Sequence, residues 1–70
     1  MKIHPHFQQE EIAGAKAAAD LVRRTPQMSM ELALELGRGA MTTRNGDPWA
    51  QGFQATMENL AISLPRRSAS

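Results

Sequence analysis

The chain has 70 residues, no cysteine, and eight Lys and Arg against seven Asp and Glu, for a formal charge of +1. The length excludes more than one domain and a large enclosed core. The lack of cysteine excludes disulfide staples and thiolate metal clusters, and the near-neutral balance lacks the basic excess of a dedicated nucleic-acid binder.

The opening residues, Met1 to Phe7, read as a leader. His4 and His6 form an H-x-H pair, but with only Glu10 nearby the set falls short of the four ligands a structural metal site wants, so no metal is expected. No apolar run follows the first Lys as in a signal peptide, and none approaches the ~20 residues of a membrane span. The expected location is the cytoplasm.

A first helix is predicted over residues 8–24. Glu10 and Glu11 lie in its first turns and Arg23 and Arg24 in its last, which complements the helix dipole at both ends. The stretch from Ala13 to Ala19 is strongly helix-forming apart from Gly14. At ~100° per residue, Ile12, Ala15, Ala18, Ala19 and Val22 share an apolar face, while Lys16, Asp20, Arg23 and Arg24 share a polar one. A face of alanines permits close approach but buries little area.

Thr25-Pro26 is a break, because the residue before proline disfavours the helical region. Thr25 can cap a helix with Pro26 at its first position, and Ser29 offers a second cap one turn later. The second helix is predicted over residues 27–41. Met30, Ala33, Leu34, Gly37, Ala40 and Met41 share one face, with Leu32 and Leu36 beside it. The apolar arc spans roughly 200°, about twice that of an ordinary surface helix. This breadth predicts that helix two is the most buried of the three, or is covered by a second molecule.

Asn45-Gly46 signals a turn, since both residues tolerate positive φ. Asp47-Pro48 restarts the chain with an N-cap and a proline at the first helical position. The third helix is predicted over residues 48–63, with Trp49, Phe53, Met57, Leu60 and Leu64 as a core stripe. Ile62 falls on the opposite face beside Gln51, Ala55 and Glu58. Pro65 ends the helix, and residues 65–70 read as a flexible basic tail.

Few constellations carry chemistry. The carboxylates suit caps, helix N-termini and solvated edges rather than an acid–base pair, and the serines lack a nucleophile motif. The Gly37 to Gly46 segment, rich in glycine, hydroxyls and arginine, matches no phosphate-binding fingerprint. Ala33 and Gly37 have half the spacing of a helix-turn-helix, but Asn45-Gly46-Asp47-Pro48 would break its recognition helix.

These observations give an all-α, single-domain, three-helix chain with helices one and two as an antiparallel hairpin and helix three packed on both. The function expected is a non-enzymatic interaction protein, a regulator or inhibitor that binds a protein partner and self-associates, without cofactor. Met30, Leu32, Leu36 and Ile62 are the expected interface residues, and small size without staples favours association. The alternative is a nucleic-acid-binding regulator using Arg23, Arg24, Arg38 and Arg44, and a weaker one is a small-ligand or nucleotide binder.

Overall fold

The computed structural model describes residues 5–66, with side chains from residue 8 onward. The His4–His6 pair and the Phe7 side chain lie outside it. Three helices follow in order, α1 (Pro5–Arg24), α2 (Met30–Thr43) and α3 (Pro48–Ala61). The all-α expectation holds, and the element borders shift for identifiable reasons.

Helix α1 starts at Pro5, three residues before the expected position 8. A proline at the first helical position loses nothing, because its missing N–H is one that the helix leaves unsatisfied there. Helix α2 starts three residues later than expected. Ser29, not Thr25, is its cap: Ser29 is extended (φ −112°, ψ 166°) and its Oγ accepts from the Leu32 N–H at 3.1 Å. Thr25 to Met28 instead form a turn, closed by the Met28 N–H donating to the Thr25 carbonyl at 3.0 Å. That turn sends Met28, 2% exposed, into the core and so anchors the connector.

The second turn behaves as its residues demand. Asn45 (φ 56°) and Gly46 (φ 64°) are both left-handed. Asp47 then caps α3 through Oδ1, which accepts from the Ala50 N–H at 2.8 Å, with Pro48 beginning the helix. At its other end α3 stops at Ala61, two residues short of position 63. The chain tightens there, with Ser63 N–H donating to Leu60 and Leu64 N–H to Ala61.

Helix α3, not α2, is the centre of the molecule. It packs along α1 on one side and α2 on another, while α1 and α2 barely meet. Hence the expected hairpin of helices one and two does not form as a packed pair. The Met30 N–H donates to the Pro65 carbonyl at 2.8 Å, so α2 starts at the C-terminal end of α3. Only five residues separate α1 from α2, and a connector that short keeps the end of α1 there too. The order is therefore up, down, up, with α1 parallel to α3 and α2 antiparallel to both.

Small residues explain the central place of α3. Ala50, Phe53, Met57 and Ala61 are its buried residues, against Ala33 and Gly37 in α2. At the α1–α3 crossing, Gly14 lies on the backbone of Trp49 and Phe53, and Gly52 lies on the backbone of Glu11. A Cβ added at either glycine would overlap a carbonyl oxygen of the facing helix. Gly37 makes a milder contact with α3, where a Cβ would stand 3.2 Å from Gln54 Cγ. The wide arc of α2 misled because its leucines split over both flanks of the contact. Leu32, Leu34 and Leu36 are half-buried around a core made of Ala18, Met28, Ala33, Phe53, Met57 and Ala61.

Candidate functional site

The glycine crossing sets which face of α1 remains outside. Sequence periodicity alone places Ile12, Ala15, Ala18, Ala19 and Val22 toward the core. Docking through Gly14 turns the helix so that Ala18 becomes fully buried and Leu21 packs on the core, while Ile12 is left 49% exposed. Backbone contact at Gly14 outweighs the direction of greatest hydrophobicity, because closest approach puts more of both helices in contact.

The rotation opens a groove of about 330 Å³ between α1 and α3, on the side away from α2. Glu11, Ile12 and Ala15 form one wall and Gln51, Gly52, Ala55 and Thr56 the other. The two walls rise in step along the parallel helices. Ile62, 81% exposed, caps the C-terminus of α3 with helical dihedrals, so it continues the Gln51–Ala55–Glu58 row by helical spacing. Of the two exposed large hydrophobic side chains among the described residues, Ile12 lines the groove, while Ile62 lies outside its lining, further along the α3 row that supplies Gln51 and Ala55.

The expected interface residues do not gather on one surface. Ile62 lies past the groove, along the row of its α3 wall. Leu32 and Leu36 lie on one flank of α2, and Met30 lies on its α3-facing side at the end tied to Pro65. All three α2 residues spend part of their surface on the core. Ile12, Ala15, Ala55 and Thr56 are the residues that sequence reasoning left out. The available signal was an isolated glycine inside each of two helices, a pattern that marks a packing need.

The arginines are also dispersed. Arg44 is engaged within the fold: its Nε donates to Asp47 Oδ2 at 3.0 Å, and its guanidinium lies 4.5 Å from the centre of the Trp49 ring. Trp49 in turn stacks on Phe53 at 5.1 Å and 13°. This three-layer stack closes the α2–α3 turn. Arg24 pairs with Asp20 at 3.0 Å one helical turn away, and Arg23 stands exposed beside it. Both belong to the end of α1, at the opposite end of the molecule from Arg44, while Arg38 is exposed on α2.

No family model, curated protein or solved structure matches the chain. The residues themselves carry the functional argument.

A second, larger concavity of about 590 Å³ runs along the outside of α1, bordered by Lys16, Asp20 and Arg23 with Ala13, Ala17 and Ala19. All its walls come from one helix, which cannot enclose a ligand. Among the described residues, no group of three or more metal-ligating side chains is assembled. None of the described helices is long and apolar enough to cross a membrane.

Proposed function

We propose that this chain is a small, non-enzymatic interaction protein that binds a protein partner through the α1–α3 groove and acts as a regulator or inhibitor. The observation that carries the reading is the exposed side chain of Ile12 in the wall of that groove, with Ile62 exposed further along the row of its α3 wall. Single exposed apolar residues are ordinary on any surface. A groove lined by Ile12, Ala15, Gly52 and Ala55, with Glu11, Gln51 and Thr56 in its walls and a second exposed isoleucine beyond it, matches an apolar interface centre with a polar rim. The groove lies where a fourth helix would pack against two of the three already present. Self-association through the same face is part of the proposal, since a core of four alanines, two methionines and a phenylalanine leaves a small domain little margin. A cysteine-free helical chain suits the cytoplasm.

The non-enzymatic reading rests on what the charged groups do. Asp20 and Asp47 are each held by an arginine three or four residues away, and Asp47 also caps α3. The groove presents one carboxylate, Glu11, with no second titratable side chain among its lining. Acid–base catalysis needs a positioned pair.

Light scattering on purified protein tests the self-association half. The wild-type mass should exceed the 7.7 kDa of one chain and rise with concentration, and Ile12→Glu/Ile62→Glu should return it to one chain with an unchanged helical circular dichroism spectrum. A wild-type protein that stays at one chain at high concentration removes that half of the proposal.

A further inference from the structure

We draw no further inference here: the strongest candidate, the apolar groove between α1 and α3 lined by Ile12, Ala15 and Ala55, belongs to the site already described, and nothing in the structure shows what covers it.

Discussion

Replacing Gly14 with alanine sets two opposed effects against each other. In an exposed helix interior the change is favourable by about 1 kcal/mol, because alanine loses less backbone entropy than glycine. At Gly14 the new methyl meets the Trp49 carbonyl oxygen and comes within 3.0 Å of the Phe53 backbone nitrogen. Neither neighbour is the far end of a flexible side chain, so the two helices must part by about an ångström at their crossing, and overpacking of this kind costs ~1–3 kcal/mol, occasionally more. With backbone on both sides the upper end applies, and the net loss is about 2 kcal/mol. For a domain of this size that lowers the melting temperature by roughly 8–16 °C. Gly39→Ala supplies the control. It is the same chemical change inside α2, where nothing stands within 4 Å of the added carbon, and it should raise stability by about 1 kcal/mol. Urea titration followed by circular dichroism measures both, read as midpoint shifts at constant slope. If Gly14→Ala and Gly39→Ala move the midpoint in the same direction, the close crossing of α1 and α3 does not exist.

Other substitutions probe the remaining parts. Met57→Ala removes the largest fully buried side chain and should cost ~2–5 kcal/mol, enough to leave the chain largely unfolded at 37 °C in thermal melts. Trp49→Ala should cost about 2 kcal/mol, less than a wholly buried aromatic, because the ring is partly exposed beneath Arg44; a loss of ~4–5 kcal/mol, that of a wholly buried aromatic, would refute the stacked, half-buried placement. Asp47→Ala should lose about 1 kcal/mol through the α3 cap while Asp47→Asn stays near neutral, and equal losses in urea titration would show that the charge, not the cap, matters. At protein concentrations where the wild type is a single chain, Ile12→Glu and Ile62→Glu should each change stability by no more than about 0.5 kcal/mol in the same titration, since both side chains already face solvent; a large loss there would place them in the core.

Much of the fold is legible from local chemistry. The Asn45-Gly46 turn, the Asp47-Pro48 start of α3 and the stop near Arg24 each follow from backbone preferences of single residues, and the structure uses all three. Borders drifted where two signals competed. Thr25-Pro26 and Ser29 both offered a start for α2, and the choice fell to Ser29 because Met28 takes a place in the core and the Met30 N–H finds the Pro65 carbonyl. That hydrogen bond joins residues 35 positions apart, which no local pattern encodes.

The candidate site was harder to read for a related reason. A helical wheel weighs hydrophobicity, and by that measure Ile12 belongs inside and Gly14 is an interruption. Packing weighs approach distance as well, and two glycines that each admit the backbone of the facing helix override the wheel. Only the pairing of Gly14 with the Trp49 backbone and of Gly52 with the Glu11 backbone reveals which way α1 is turned. Ile62 was legible as an outward residue from its place beside Gln51, Ala55 and Glu58, but the groove next to that row needed α1 for a second wall. Leu32 and Leu36 show the converse, since a wide apolar arc suggested a free face and the fold spends part of it on its own core.

The claim that the α1–α3 groove is a binding surface is tested most directly by paired affinity capture. Tagged wild-type chain and tagged Ile12→Glu/Ile62→Glu are expressed in the source cells beside an untagged copy, and the co-purified proteins are quantified by mass spectrometry. At least one protein, the untagged copy included, should be enriched by the wild type and lost from the variant. Indistinguishable recoveries from the two baits would contradict the account.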